Sequence, residues 1–418
     1  MKILHLSDLH FGKNLHNEGM IEEQKFWVEK TVEEIKKQLP DAVIIAGDVY
    51  DRGVPSKDAV QLLSSFLSDI RSIKEKNIPV LICAGNHDGG ERLEFARDLL
   101  SISNVHIAGT VTKEMVKVPV KDDYGTVTFW LMPFVYPAAV RVVLGVDDTV
   151  ISNIEDAVRE LIKNQNIDFS QRNVIIAHQM VLNGGKEPDR SLSETAIGGV
   201  GGISSSVFEE FDYVALGHIH GAQKVGSDNI RYAGAPLCYH FSEAEQEKGL
   251  LFVELKEKNS PLEFETVKVP VKHKVRKTIV GKLDDIIKNE ENSTASDEYV
   301  RIELTDEIFD ADAREKLEAV FKLRNNKILD LTRAERIISH TESDDCDTND
   351  LKDMTLDGNF IYFCENEKKI SLSEDDRKFI AELSQMIMDK PDDVKKDQYI
   401  ENIAEQLADK LIERSEEI

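Results

Sequence analysis

The sequence predicts a layered α/β fold, on three observations. Short apolar runs recur along the first half of the chain: Ile3 to Leu6, Asp41 to Ala46, Pro79 to Ala84, Asn173 to Ala177 and Tyr213 to Leu216. Bounded by Gly, Pro or Asp, such runs suit strands covered on both faces. Helical patterns separate the first three, one from Phe26 to Leu39 just before Pro40, the other from Asp58 to Lys76; strand, helix, strand in repetition argues for α/β layers. Most runs also lead directly into a short polar segment rich in Asp, Asn and His, which places those groups at the carboxyl ends of strands, where an open α/β sheet gathers its ligands.

Taken in order, the first run leads into Ser7-Asp8-Leu9-His10, the second into Gly47-Asp48-Val49-Tyr50-Asp51-Arg52 and the third into Gly85-Asn86-His87-Asp88. Between Ala138 and Gln171 the spacing of Ile151, Ile154, Val158, Leu161 and Ile162 predicts a helix. The fourth run leads into Ala177-His178-Gln179. A loop rich in Gly and Ser follows from Gly184 to Ser206, and the fifth run ends in Gly217-His218-Ile219-His220. Loops of that length tend to be functional or mobile. Residues 1–265 are expected to form one domain and residues 270–335 a small α/β unit. The unit has strands at Lys277–Val280, Tyr299–Leu304 and Lys327–Leu331 and a helix from Ala311 to Lys322. Residues 340–358, dense in Asp, Ser, Thr and Asn, read as a linker. A helical pair is expected over 371–415. Ser371 and Glu374 have capping-box spacing, and Ile400, Ile403, Ala404, Leu407, Ala408, Leu411 and Ile412 form an apolar stripe that must be buried somewhere.

The polar segments offer carboxylate oxygens, imidazole nitrogens and one amide oxygen, with no cysteine. That borderline-to-hard set suits manganese, iron or zinc. In an extended segment, Asp8 and His10 would point to one side, as would His218 and His220. A central carboxylate could bridge two ions, and Asp48 is the best placed. Paired ions would clamp the attacking and leaving oxygens of an in-line displacement. His87, next to a ligand but not needed as one, could protonate the leaving oxygen or bind the phosphate. His5, inside an apolar strand, reads instead as a hydrogen-bonded core residue. His16, His106, His240, His273 and His340 read as structural or surface groups.

In order and spacing these segments resemble the calcineurin-like metallophosphoesterase superfamily, whose pattern is Asp-x-His, Gly-Asp-x-x-Asp, Gly-Asn-His-Asp/Glu, His and Gly-His-x-His. The resemblance implies a four-layer sandwich of two sheets flanked by helices. It implies one metal held by Asp8, His10, Asp48 and His220, a second held by Asp48, Asn86, His178 and His218, and His87 as the catalytic histidine. Within the superfamily, Met1 to Gly12, Gly47 to Arg52, the glycine-rich Ile197 to Ile203, Tyr232-Ala233-Gly234-Ala235-Pro236-Leu237 and Phe241-Ser242-Glu243 resemble the bacterial SbcD branch. That likeness implies a manganese-dependent DNA exonuclease and endonuclease of repair and recombination. It also implies a capping domain over 270–335, a homodimer within a heterotetramer, and C-terminal helices that bind an SbcC-type ATPase. At Asp51, archaeal and eukaryotic relatives often carry a histidine that helps handle the scissile phosphate. The alternative within the superfamily is a phosphatase or small-ester phosphodiesterase, since Gly47 to Gly53 is close to the Gly-Asp-x-Val-Asp-Arg-Gly of Ser/Thr phosphatases. Phe11-Gly12 after His10, Asp88 in place of their glutamate, and the extra C-terminal regions speak against it. An inactive DNA-end tether is a third reading, opposed by the completeness of the ligand set.

The 418-residue chain has a formal net charge of −26, which runs against the Lys/Arg excess usual for phosphate binding. Residues Thr341 to Ile418 hold 23 acidic and 10 basic residues, half of the excess. Bound cations would add local positive charge that a side-chain count omits. The acidity nonetheless points to a partner for much of the DNA grip. No stretch of about 18 apolar residues occurs, so a soluble, cytoplasmic protein is expected. Cys83, Cys238, Cys346 and Cys364 are widely spaced and read as free thiols.

Overall fold

The computed structural model describes residues 1–192, 194, 201–306, 310, 312–334 and 377–378. Strand β1 (Lys2–Leu6) is followed by helix α1 (Ile21–Gln38), β2 (Ala42–Ala46), α2 (Lys57–Arg71) and β3 (Val80–Cys83). Short helices α3 (Gly90–Leu93) and α4 (Arg97–Ile102) lead to β4 (Val105–Ala108). These four strands pair in parallel in chain order, as strand–helix–strand crossovers require. The second group begins with the hairpin β5 (Val116–Asp122) and β6 (Gly125–Met132), then α5 (Pro137–Leu144), α6 (Ile154–Lys163), β7 (Arg172–His178), β8 (Tyr213–Gly217), β9 (Gln223–Val225) and β10 (Ser227–Tyr232). The chain then returns to the first sheet with β11 (Leu250–Glu254), antiparallel to β1, and β12 (Glu263–Val267). The first sheet runs β12-β11-β1-β2-β3-β4 and the second β9-β10-β8-β7-β6-β5.

The core sorts into three slabs, which makes the four layers explicit. Ile3, Ile44, Leu81, Phe129, Val174, Ile176, Tyr213 and Val253 pack between the two sheets. Leu4, Val43, Ile45 and Ile82 turn the other way, against Trp27, Val32, Ile35, Leu63 and Phe66 of α1 and α2. On the outer side of the second sheet, Ile175, Val214 and Leu216 meet Val140, Val158 and Leu161 of α5 and α6. Alternation within each strand therefore feeds two slabs. Every residue of β2 is buried, so this strand reads as an unbroken apolar run rather than a half-polar one. Each fully buried Leu, Ile or Val contributes about 1.5–3 kcal/mol.

The helix expected between Ala138 and Gln171 is α6, and a second helix, α5, precedes it. Gly145 closes α5 in the left-handed region (φ 70°), and Asn153 caps α6 through its side chain on the Asp156 N–H. Ile151 is buried but precedes the helix. His5 is fully buried, with Nδ1 2.8 Å from the Tyr213 hydroxyl.

The smaller sheet has β13 (Lys274–Val275), β14 (Ile279–Gly281), β15 (Glu298–Leu304) and β16 (Lys327–Arg333), all parallel to β15. It carries α7 (Leu283–Glu291), not anticipated from the sequence, and α8 (Ala313–Phe321) around a separate core of Leu283, Ile286, Val300, Ile302, Leu317 and Phe321. A polar clamp joins this unit to α1. Buried Glu23 accepts from the His273 backbone N–H (3.1 Å) and the Tyr299 hydroxyl (3.1 Å), and its Oε1 lies 2.7 Å from His273 Nδ1. The chain divides into two units, residues 1–335 and 336–418. The expected linker at 340–358 and helical pair at 371–415 lie outside the described residues, apart from helical Arg377 and Lys378. Among the described residues no helix is long and apolar enough to cross a membrane.

Candidate metal centre

Strands β1 and β2 stop short of the site, and the loops beyond them are zipped together. Asp8 N–H donates to Gly47 O (3.0 Å), His10 N–H to Asp48 O (2.9 Å) and Phe11 N–H to Val49 O (2.9 Å). Asp8, His10 and Asp48 have positive φ (52°, 43° and 49°), as does His218 (107°). The sequence reading of Asp8 and His10 as neighbours on one side of an extended segment is therefore corrected. The segment curls after Leu6, and the loop-to-loop hydrogen bonds hold the curl. Left-handed backbone at a non-glycine residue costs about 1–3 kcal/mol and persists where the surroundings enforce it. Two glycines allow the close approach. A Cβ on Gly47 (φ 82°) would fall 2.2 Å from the His178 ring, and one on Gly85 would fall 2.1 Å from Asp48 Oδ1.

The structure brings together all eight residues singled out from the sequence. Ligand atoms of Asp8, His10 and His220 lie within 4.8 Å of one another, and so do those of Asp8, Asp48 and His178. Asp48 Oδ2 is 3.6 Å from His10 Nε2 and 3.3 Å from His178 Nε2, so it faces both groups. Asn86 Oδ1 is 3.2 Å from His178 Nε2 and 3.1 Å from His218 Nδ1. His10 Nε2 and His220 Nε2 stand 3.2 Å apart. Asp51 forms a further group with His10 and His87.

The electrostatics of this arrangement call for cations. Asp8 and Asp48 are buried, and their ion-pair partners among the described residues are imidazoles alone. Burial raises the Asp8 carboxyl above its ordinary range. Burial would lower the His178 pKa, but the Asp48 carboxylate outweighs it and lifts the group to about 9. Burial and the His178 charge drive His218 down to about 3. A proton on His178 thus offsets Asp48 in the ion-free protein, and a divalent cation would displace it, as metal binding to imidazole does generally. Two carboxylates, an amide oxygen and four imidazoles fit a pair of hard-to-borderline divalent ions.

Outer partners fix which nitrogen each imidazole presents. His178 Nδ1–H donates to Ala46 O (2.8 Å), leaving Nε2 as the free donor atom. His220 Nδ1–H donates to Glu243 Oε1 (2.9 Å), which leaves its Nε2 likewise. Burial would raise Glu243, but His220 and Lys248 hold it well below the usual carboxylate range. Gln24 Nε2 donates to His10 O (2.8 Å) and its Oε1 accepts from Gly12 N–H (2.9 Å). Asp88 accepts from Val49, Tyr50 and Gly85 N–H groups (3.1, 2.9 and 2.9 Å), tying the second polar segment to the third. Sequence reasoning assigned none of these four a role. Glu243 and Asp88 stood inside recognised motifs, but Gln24 and Lys248 carried no signal. Glu194, one of the described residues between Gly184 and Ser206, reaches the site: its Oε1 accepts from His220 N–H (2.6 Å).

His87 is half-buried and sits beside His10. Its backbone N–H donates to Asp48 Oδ1 (2.9 Å), its Nδ1–H donates to Asp51 O (3.0 Å), and its ring meets His10 edge-on with centroids 4.9 Å apart. Nε2 is left to act on something outside the ligand group.

Residues 1–222 match the family model of calcineurin-like phosphoesterases. Residues 273–368 match that of the Type 5 capsule protein repressor C-terminal domain. A curated relative, the SbcD subunit of the nuclease SbcCD from Staphylococcus saprophyticus subsp. saprophyticus, is 33% identical over 308 residues, covering 73% of this chain and 78% of the relative. Among solved structures, GAP50, the anchor in the inner membrane complex of Plasmodium, aligns over 80% of this chain and 98% of its own at 12% identity and a TM-score of 0.36. A dimetal phosphatase from Danio rerio aligns over 64% of this chain and 99% of its own at 11% identity and a TM-score of 0.34.

Proposed function

The chain belongs to the calcineurin-like phosphoesterases and, among them, to the SbcD nuclease subunits, and from that premise we propose that it is the metal-dependent DNA nuclease of an SbcCD-type complex. The observation that carries this reading is the buried pair Asp8 and Asp48, faced by imidazoles from both sheets. Asp8, His10, Asp48 and His220 would hold one divalent ion, and Asp48, Asn86, His178 and His218 the other, with manganese as the working ion. Such a pair supplies Lewis acidity and lowers the pKa of water.

The protein's own groups supply the rest. Asp48 is shared between the two halves, and Asn86 faces His178 and His218. With Nδ1–H tied to the Asp51 carbonyl, a protonated His87 donates from Nε2 to the oxygen that leaves the cleaved phosphodiester. The substrates are duplex ends, for exonuclease digestion, and hairpins or single strands, for endonuclease cuts. The test is cleavage with manganese of linear duplex DNA, a DNA hairpin and a phosphopeptide side by side. DNA cleavage without dephosphorylation is expected; dephosphorylation alone would transfer the chain to the phosphatases.

In the complex, an SbcC-type ATPase binds residues 371–415 and supplies much of the DNA grip that a chain of net charge −26 lacks. Loss of co-purification on deleting those residues is expected, and an intact complex would contradict it. A second copy of the chain completes the assembly as a homodimer within a heterotetramer. The setting is the cytoplasm.

A further inference from the structure

Two lysines border the candidate ligands, and they differ in what they already hold. Lys248 Nζ donates to His220 O (2.9 Å), Glu243 Oε2 (2.8 Å) and Gln246 Oε1 (2.8 Å). Those three bonds use every donor an ammonium has, so Lys248 is a strut. Lys13 Nζ donates one hydrogen bond, to Asp51 Oδ1 (2.7 Å), and lies 5.9 Å from the Tyr239 ring centroid. Among the described residues, two of its N–H donors are uncommitted.

The place of Lys13 is set by the ligand loop itself. Its backbone N–H donates to His10 O (2.9 Å), its carbonyl accepts from Met20 N–H (3.1 Å), and Asp51 N–H donates to Phe11 O (3.3 Å). The Asp51 carboxylate also lies 3.8 Å from His10 Nδ1, a buried nitrogen with no hydrogen-bond partner among the described residues, and the Asp51 carbonyl holds His87. Lys13, Asp51 and His87 thus form one rim beside His10. The other cation there, Arg52, is 3.6 Å from Asp51 Oδ2 with its side chain 78% exposed, whereas that of Lys13 is 17% exposed and held.

We propose that Lys13 is a substrate-binding residue: its ammonium takes a non-bridging oxygen of the nucleic-acid phosphate at or next to the cleaved bond, with Asp51 as the positioning residue that holds it beside His87. The inference rests on the nuclease reading for its substrate. A point charge with two free donors suits a phosphate oxygen. Pairing with Asp51 fixes the ammonium and prevents it from entering the buried carboxylate pair in place of a cation.

The test uses the full chain with calcium in place of manganese. Anisotropy measures binding of a fluorescent single-stranded oligonucleotide over a range of salt, for the wild type, Lys13→Gln and Lys13→Arg. A second set of oligonucleotides carries one uncharged methylphosphonate linkage at successive positions. Lys13→Gln is expected to bind about tenfold more weakly, with a salt slope shallower by about one. One methylphosphonate position that weakens the wild type should leave Lys13→Gln unchanged, and Lys13→Arg should restore most of the affinity. Equal affinity and slope for Lys13→Gln would overturn the assignment. So would an equal loss on every linkage, or a fall in manganese content, which would make Lys13 a support of the metal site. A wild type that binds DNA but cuts none with manganese refutes the nuclease reading and leaves the Lys13 comparison decisive; one that neither binds nor cuts refutes both.

Discussion

The two sheets contribute different chemistry to one site. The first supplies both buried carboxylates and the amide, Asp8, Asp48 and Asn86, together with His10 and His87, from loops at the ends of β1, β2 and β3. The second supplies imidazoles alone, His178, His218 and His220, at the ends of β7 and β8. Neither sheet alone holds all the residues of either proposed ligand set. The inter-sheet slab around Ile44, Ile176 and Phe129 therefore governs how far the anionic half stands from the imidazole half. The supports differ too. The first sheet's loops are braced by backbone bonds and by Asp88, whereas His220 of the second is held by side chains, Glu243 on its ring and Glu194 on its backbone N–H.

This contrast can be broken most severely on the first sheet. His87→Ala should lower kcat for DNA cleavage by about 10²–10⁴ while manganese content stays at the wild-type level. Single-turnover cleavage and elemental analysis measure the two, and loss of the metals in that variant would contradict the separate role of His87. On the second sheet, Glu243→Gln keeps the shape but removes the charge that orients His220. Manganese affinity should fall about 10–100-fold, read by calorimetric titration, with little change in affinity if the backbone alone holds His220. The smallest effect lies at the far edge of the second sheet. Burial raises Asp122, but Arg172, the Met1 ammonium and the Tyr124 N–H together outweigh it and bring the group down to about 2. A depressed carboxyl contributes stability above its unfolded pKa of about 3.9 that is lost as pH falls through about 2. Asp122→Asn should therefore cost about 2 kcal/mol at pH 7 and flatten the dependence of Tm on pH between those values. A parallel loss of Tm at every pH would mean that charge plays no part.

Much of this was legible in the sequence, for a physical reason. Parallel strands buried on both faces leave unbroken apolar runs, and β2, with all five residues buried, is the clearest. The polar segments that follow such runs have to sit at strand ends, so the site could be assembled before its geometry was known. The positive φ angles of Asp8 and His10 were not legible, because they are imposed by loop-to-loop bonds between residues about 40 apart. Nor was the pairing of His220 with Glu243, 23 residues away across a turn. Helix α7 escaped notice because its nine residues, Leu283–Glu291, bury little beyond Leu283, Ile286 and Glu290. The hairpin β5–β6 depends on pairing across the Asp123-Tyr124 turn, for which periodicity alone gave no sign.

A calorimetric titration of the ion-free chain with manganese bears most directly on the shared role of Asp48 between the halves. Two ions per chain are expected for the wild type, one each for His220→Ala and His218→Ala, and weakened binding of both for Asp48→Ala. A wild type that takes up a single ion, or an Asp48→Ala variant that still binds two with wild-type affinity, would contradict a centre divided between the sheets and bridged by that carboxylate.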